Sequence, residues 1–184
     1  MARAALPVAD YLPRFLEAVP RCKTLVEVGV GTGGLLAALC RRAERVVGVD
    51  HSPAMLAEAR GRLSAEDLAG VELRLGEMTH LPLSDRECEA AVLNMVLHHA
   101  ARPVEVLAEM ARVLAGGGVL LIADLVGHQR DWVRERLADQ WLGFAREELS
   151  GWLGSAGFVV EKYSVAEGEG EALGVFILVA RKPL

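Results

Sequence analysis

The sequence has few cysteines, few lysines and no long apolar segment. Its three cysteines are widely spaced and form no Cys-x-x-Cys pair, which excludes a disulfide framework or a zinc knuckle and favours a reducing compartment. No uncharged run reaches the roughly 18 residues that a membrane-spanning helix needs, and the N-terminus has no apolar stretch of signal-peptide type. We therefore expect a cytoplasmic protein with no membrane partner.

Positive charge is also scarce, since 20 lysine and arginine residues stand against 25 aspartate and glutamate residues, for a net charge of −5. Nucleic-acid binding relies on concentrated positive charge, so no nucleic-acid partner is predicted. The 184 residues, 52% of them hydrophobic, predict a single domain over residues 1–184 whose core needs no metal or disulfide. These numbers leave the oligomeric state open.

Short apolar runs alternate with longer segments of helical spacing along most of the chain. Five such runs, each followed by a helical segment, predict right-handed crossovers and a parallel sheet with helices on both faces. Two more runs, at residues 158–165 and 175–180, flank a charged, glycine-containing link and predict an antiparallel pair. The prediction is an α/β fold with seven strands, mostly parallel. The five runs are Thr24–Val28, Arg45–Val49, Val71–Leu75, Ala90–Asn94 and Val119–Asp124.

Capping residues mark several predicted helices. Ser52 is a predicted N-cap with Pro53 in the first helical position, and Pro103 begins another helix. An amphipathic helix within residues 1–20 is predicted to cap the sheet, and a further helix is expected near Arg146–Ala156. The buried face of the helix from Pro103 is predicted to contain Val104, Leu107, Ala111 and Leu114.

A glycine-rich loop follows the first predicted strand and contains Gly29, Gly31, Gly33 and Gly34. Glycine lets the backbone turn with positive φ and lets a ligand approach the chain without meeting a Cβ atom. Asp50 ends the second predicted strand, where a carboxylate can accept hydrogen bonds from two ribose hydroxyls. The combination predicts a ligand that contains a nucleoside.

The glycine loop also fits the dinucleotide pattern at Gly29, Gly31 and Gly34, so a nicotinamide-binding protein is one alternative. Three features weigh against it. Five strand–helix units leave no residues for a second domain, and a dinucleotide fold does not require the C-terminal antiparallel pair. Neither Tyr11 nor Tyr163 has the lysine four residues later that a short-chain dehydrogenase needs.

Over nearly the whole chain, these motifs resemble those of the class I S-adenosylmethionine-dependent methyltransferases. Glu27 and the glycines match the family's first motif, Asp50 matches its ribose-binding acid, and Glu77 stands where an aspartate usually contacts adenine. The resemblance implies a Rossmann-like fold, S-adenosylmethionine as cofactor and S-adenosylhomocysteine as product. The residues it places at the cofactor are Glu27, Gly29, Gly31, Thr32, Gly33, Asp50, His51, Met55, Glu77, Met78 and Asn94.

The resemblance also implies transfer of a methyl group to an acceptor, which we expect to be a small molecule. Asn94 ends the fourth strand and is expected beside the methyl-donating end of the cofactor. His99 or His98 is the best-placed general base where the acceptor must lose a proton. Adjacent helical residues point about 100° apart, so at most one histidine is expected to face the site. In and beside a predicted lid region, residues 127–156, the candidates for the acceptor pocket are Asp124, His128, Trp132 and Trp141.

A narrower similarity is carried by Leu97-His98-His99 and residues 131–144. These segments are similar to the methyltransferase domains fused to arsenic-repressor-type winged-helix regulators. The similarity motivates an alternative function, a non-catalytic module that senses S-adenosylmethionine or S-adenosylhomocysteine and acts through a partner. No metal site is predicted, because the two histidines lack further ligands at helical spacing. Arsenite is disfavoured as a substrate, because the cysteines do not form a multi-thiol pattern.

Overall fold

The computed structural model describes residues 8–68, 70–129, 140–170 and 172–184. The strands are β1 (Cys22–Val28), β2 (Ala43–Asp50), β3 (Val71–Leu75), β4 (Cys88–Asn94), β5 (Leu114–Leu125), β6 (Val159–Ala166) and β7 (Val175–Arg181). They form one sheet in the order β3-β2-β1-β4-β5-β7-β6, in which β7 alone runs opposite to its neighbours. The predicted seven-stranded, mostly parallel α/β sheet with a C-terminal antiparallel strand is confirmed.

Helices cover both faces of the sheet. They are α1 (Leu12–Ala18), α2 (Leu36–Leu39), α3 (Pro53–Ala65), α4 (Pro103–Val113) and α5 (Arg146–Ser155), with a 3₁₀ turn at Leu97–His99. Apolar side chains of α1, α2 and α3 form one buried cluster, represented by Phe15, Leu36 and Leu56. Side chains of α4 and α5 form a second cluster on the opposite face, represented by Leu107 and Leu149. Within the described ranges, no helix has the length and apolar character needed to cross a bilayer.

Local sequence explains where the longer helices begin. Ser52 caps α3, because its hydroxyl accepts a hydrogen bond from the N–H of Met55 at 3.3 Å, and Pro53 follows in the first helical position. Pro103 begins α4, and α1 lies against the sheet through the fully buried Phe15. The predicted helix starts at Pro53 and Pro103 are confirmed.

Residues 76–87 do not form the helix that was predicted after the third strand. They form turns, with an isolated bridge between Glu77 and His80. Side chains of α4 satisfy part of this backbone: Arg112 donates to the carbonyls of Leu81 and Leu83, and Glu109 accepts the N–H of Leu81. The prediction was wrong because these long-range contacts replace the hydrogen bonds within a helix.

Two smaller helix predictions also need correction. The helix after the glycine loop is a single turn, α2, because the backbone from residue 31 to 35 is occupied by the turns of the loop. In α4 the buried face is shifted: Val104 is 43% exposed, and Leu114 already belongs to β5. The buried residues of α4 are Pro103, Val106, Leu107, Met110 and Val113.

Strand register brings three strand ends together. Val28 of β1 lies opposite Val49 of β2 and Leu93 of β4. Asp50 and Asn94, which follow directly, therefore lie at the same edge of the sheet. In open parallel sheets this carboxyl edge is where ligands bind.

Candidate functional site

A cavity of about 430 Å³ opens at the carboxyl ends of β1, β2 and β4. Its wall combines the glycine loop, the end of β2, the start of α3 and the segment after β4. The lining residues are Val28, Gly29, Gly31, Val49, Asp50, His51, Ser52, Met55, Gly76, Met78, Met95, Val96 and His99. Six of the eleven predicted cofactor residues belong to this wall: Gly29, Gly31, Asp50, His51, Met55 and Met78.

The glycine loop needs glycine at alternate positions. Gly29, Gly31 and Gly33 have φ of +75°, +53° and +79°, a region that favours glycine, whereas Gly34 is not among the positive-φ residues. A Cβ atom at Gly29 would overlap the side chain of Val96, but the space beside Gly31 is open. The space beside Gly34 is also open, so the loop does not need glycine at the third position of the dinucleotide pattern, where glycine serves close packing.

Asp50 links the glycine loop to the start of α3. One carboxylate oxygen accepts the N–H of Gly31 at 2.8 Å, and the other accepts the N–H of Ser52 at 2.9 Å. Each oxygen of a carboxylate can accept about two hydrogen bonds, so both keep acceptor capacity toward the cavity. The geometry suits a ligand that donates two hydroxyl hydrogens.

Glu27 is buried behind the glycine loop. Its side chain is 3% exposed, and no described residue donates a hydrogen bond to its Oε2 atom. Burial, together with the negative charge of Asp50, raises the pKa of Glu27 to about 8. Glu27 does not line the cavity itself, but the next residue, Val28, does. A buried carboxyl oxygen without a donor favours a proton or a cation at that position.

Methionines and loop residues form the remaining wall beside Asp50. Met55 of α3 is 39% exposed, and Met78 is half-buried in the loop after β3. Glu77 is exposed and lies outside the wall, as do the half-buried Thr32 and the buried Gly33. Gly33 instead lets the loop pack closely against Leu36 and Ala59, where an added Cβ atom would be crowded.

The two adjacent histidines lie in different environments. His98 is buried, with its Nδ1 atom 2.6 Å from Oδ1 of Asp124, and its backbone N–H donates to Oδ2 of the same carboxylate at 3.2 Å. His99 is exposed and lines the cavity, with its ring centroid 4.1 Å from that of His98. Only one of the pair therefore faces the cavity, as their spacing along a helix predicts.

Tyr11, at the start of α1, reaches the end of β4. Its hydroxyl donates to Oδ1 of Asn94 at 2.9 Å. Burial raises the pKa of Tyr11, and the carboxylates of Asp124 and Glu27 raise it further. Asn94 is half-buried and lies outside the cavity wall. No local pattern in the sequence predicts this contact, because the two residues lie 83 positions apart.

Met95 lies in the cavity wall but was not predicted from the sequence. Its φ of +51° is unusual for a residue with a side chain, and such strained positions cluster at functional sites. Met95 and Val96 follow β4 and line the cavity, and Val96 lies against Gly29 of the glycine loop. Methionine carries no sequence preference for this conformation, so no pattern could have indicated it.

Asp124, His128 and Trp141, the described residues among those predicted for the acceptor pocket, are not in the cavity wall. Asp124 is fully buried against His98. The backbone N–H of His128 donates to the carbonyl of Leu142, and the indole N–H of Trp141 donates to the carbonyl of Ala100 at 2.9 Å. Trp132 and residues 130–139 of the predicted lid lie outside the described residues. Across the described ranges, no group of three or more His, Cys, Asp or Glu side chains could hold a metal ion.

A protein-family model matches just over half of the chain. The model of the family described as a methyltransferase domain matches residues 26–122. The arsenite methyltransferase of Halobacterium salinarum is 33% identical over 117 residues, which cover 62% of this chain and 30% of that protein. The chain spans less than half the length of the curated relatives it matches.

Solved structures share the fold at low sequence identity. One is the complex between the Haloferax volcanii Trm112 methyltransferase activator and a methyltransferase, with a TM-score of 0.83, 21% identity and coverage of 94% of this chain and 89% of that one. Another is a Haemonchus contortus phosphoethanolamine N-methyltransferase in complex with S-adenosylhomocysteine, with a TM-score of 0.76, 17% identity and coverage of 94% and 51%. The likeness to these structures concerns the fold, which many activities can share.

Proposed function

Because the chain belongs to the methyltransferase domain family, we propose that it transfers a methyl group from S-adenosylmethionine to a small-molecule acceptor. The observation that carries this proposal is the cavity at the carboxyl edge, where the glycine loop and Asp50 face one space. S-adenosylmethionine is the methyl donor of the family, and when bound it supplies a methyl group activated by a sulfonium.

Three features of the described residues fit this donor. The open space beside Gly31 allows close approach to the backbone. Asp50 keeps acceptor capacity for two ribose hydroxyls. The Oε2 atom of Glu27 lacks a donor, and an α-ammonium would supply one directly or through a water molecule. The proposed donor site is completed by His51, Met55 and Met78 beside the adenine, with Glu77 at its edge.

On the acceptor side, the proposed task of the chain is to position the acceptor and exclude water. Methyl transfer needs the acceptor atom about 3 Å from the methyl carbon, and it needs no covalent intermediate with the protein. His99 is the proposed general base, since it is the histidine of the pair that lines the cavity. Asn94 is the proposed polar contact beside the methyl group, held in place by Tyr11. The volume of the cavity is within the range of small-molecule sites.

The first test is calorimetric titration of the protein with S-adenosylmethionine, S-adenosylhomocysteine and NADH in parallel. We expect the first two to bind and NADH not to bind. Asp50→Ala should weaken binding of both at least tenfold, about 1.4 kcal/mol, because the ribose hydroxyls lose their acceptor. Asp85→Ala, which removes an exposed carboxylate outside the cavity wall, is the matched control and should leave the affinity unchanged. Binding of NADH alone, or of none of the three, would overturn the proposal.

A module that senses the donor or its product without turnover is the alternative hypothesis, and no observation in the described residues favours it. Formation of S-adenosylhomocysteine with a panel of small-molecule acceptors distinguishes the two functions. Acceptor-dependent formation of this product supports the enzyme, whereas tight binding with no turnover of any acceptor supports the sensor.

A further inference from the structure

We propose that Glu27 carries a proton in the free protein and releases it to solvent when the α-ammonium of the donor binds. This inference rests on the proposed function, because it assumes that the donor enters the cavity. Donor binding and proton release then form a single coupled event, which methyl transfer alone does not require.

Glu27 lies in a position that is almost inaccessible to solvent. Glu27 is 3% exposed, and its register neighbours are Gly48 of β2 and Val92 of β4, neither of which has a polar side chain. No described residue donates to Oε2. An ionised carboxylate in this position would have little contact with water and no donor at Oε2 among the described residues, which makes the neutral acid the favoured form.

Nearby negative charge also favours the neutral form of Glu27. Asp50, at the end of β2, contributes negative charge and, after burial, is the second cause that raises the pKa of Glu27 to about 8. His51 lies near Asp50, with its Nδ1 atom 3.6 Å from Oδ1. From α1, Tyr11 faces the same region, and its pKa is raised by burial and by the charges of Asp124 and Glu27. The helix α2 has no titratable side chain.

An arriving ammonium reverses this balance. A positive group within reach of Glu27 favours the ionised carboxylate, because it offsets both burial and the charge of Asp50. The O–H bond of the acid then breaks, its proton goes to the buffer, and the ammonium keeps its own three hydrogens. One proton is released for each donor bound, as long as the ligand enters as an ammonium.

The test is calorimetry at about pH 6.5, below both the pKa of Glu27 and that of a typical α-amino group, about 7.7–8.0. Titrations in buffers with different ionisation enthalpies give the number of protons released, from the dependence of the observed enthalpy on the buffer. We expect close to one proton for S-adenosylmethionine and for S-adenosylhomocysteine. Methylthioadenosine, which has the adenine and ribose but no amino group, should release close to none.

Two variants test whether the released proton comes from Glu27. Glu27→Gln should bind the donor with close to no proton release, and Glu58→Gln, the same change at an exposed position of α3, should release as much as the wild type. Between about pH 5.5 and 7.5 the affinity of the wild type should rise by up to about tenfold per pH unit, whereas that of Glu27→Gln should stay nearly constant.

The outcomes separate this inference from the proposed function. Donor binding with no proton release by the wild type overturns the role of Glu27 and leaves the methyltransferase proposal intact. Equal release with methylthioadenosine, or unchanged release in Glu27→Gln, also overturns it, because the proton would then come from another group. If neither S-adenosylmethionine nor S-adenosylhomocysteine binds, the proposed function fails and this inference fails with it.

Discussion

The residues proposed to bind the donor (the donor side) and those proposed to serve the acceptor (the acceptor side) are held in place in different ways. On the donor side, the backbone N–H groups of Gly31 and Ser52 fix the Asp50 carboxylate, and positive φ angles shape the loop. On the acceptor side, side chains from distant segments bind one another: Tyr11 contacts Asn94, and His98 contacts Asp124. The donor side therefore depends on backbone geometry, whereas the acceptor side depends on the identity of particular side chains.

The largest expected effect is that of Gly29→Ala, which tests the backbone geometry of the donor side. The added Cβ atom would overlap Val96, and the loop would hold alanine at a φ of +75°. The free energy of unfolding, measured with urea, should therefore fall by about 4 kcal/mol. Gly31→Ala has open space around the new methyl group and should lose only about 1 kcal/mol, but its affinity for S-adenosylhomocysteine should fall at least tenfold.

Gly34→Ala is the control for both variants, since Gly34 is exposed, is not among the positive-φ residues and has open space for a Cβ atom. It should change neither stability nor affinity. Full affinity in Gly31→Ala would contradict the assignment of the space beside Gly31 to the donor.

Glu27→Gln tests the donor side through the pH dependence of stability. Between the ordinary pKa of 4.5 and the raised pKa of about 8, the unfolded chain loses the proton of Glu27 while the folded protein keeps it. The free energy of unfolding of the wild type therefore falls as pH rises through this window, and glutamine removes that dependence. From about pH 5 to about pH 8 the wild type should lose on the order of 3 kcal/mol more than the variant. Parallel stability curves, measured by urea unfolding without ligand, would mean that the pKa of Glu27 is not raised.

Asp124→Asn tests the acceptor side, where a contact between two side chains stabilises the structure. Asp124 accepts from the Nδ1 atom of His98, from the backbone N–H of His98 and from its neighbour Leu125. Loss of the charge should lower the free energy of unfolding by about 2 kcal/mol, since hydrogen bonds to charged groups are the stronger ones. The affinity for S-adenosylhomocysteine should change less than about threefold, below 1 kcal/mol. A tenfold loss of affinity would show that the two sides are coupled.

The same difference explains how much of the molecule could be predicted from its sequence. The glycine loop, Asp50 and the Ser52 cap depend on contacts between residues close in sequence or on fixed motifs, and the sequence predicts where they lie. The alternation of apolar runs predicts the strand ends that meet at the cavity, and with them the fold class. These features depend on backbone conformation, which short patterns report well.

Contacts between distant side chains have no such pattern. A helical segment was predicted after each of the first five strands, but residues 76–87, which follow the third, form turns that Arg112 and Glu109, more than 20 positions away, hold in place. The acceptor-pocket predictions have the same limitation, because Asp124 and His98 are 26 positions apart and only the three-dimensional structure shows that they contact each other. Local propensity cannot report a hydrogen bond that forms after the sheet is assembled.

The smallest expected effect, that of Tyr11→Phe, is the sharpest test of whether the two sides are independent. The variant loses one hydrogen bond to Asn94 and keeps the ring, so the free energy of unfolding should fall by about 1 kcal/mol. Tyr163→Phe is the matched control: Tyr163 stacks on Phe176 through its ring, which phenylalanine preserves, and its stability should change less. If Asn94 serves the acceptor, Tyr11→Phe should leave the affinity for S-adenosylhomocysteine within about threefold of the wild type. A tenfold loss would instead place Tyr11 and Asn94 on the donor side, because a contact needed only by the acceptor cannot alter binding of the donor product alone.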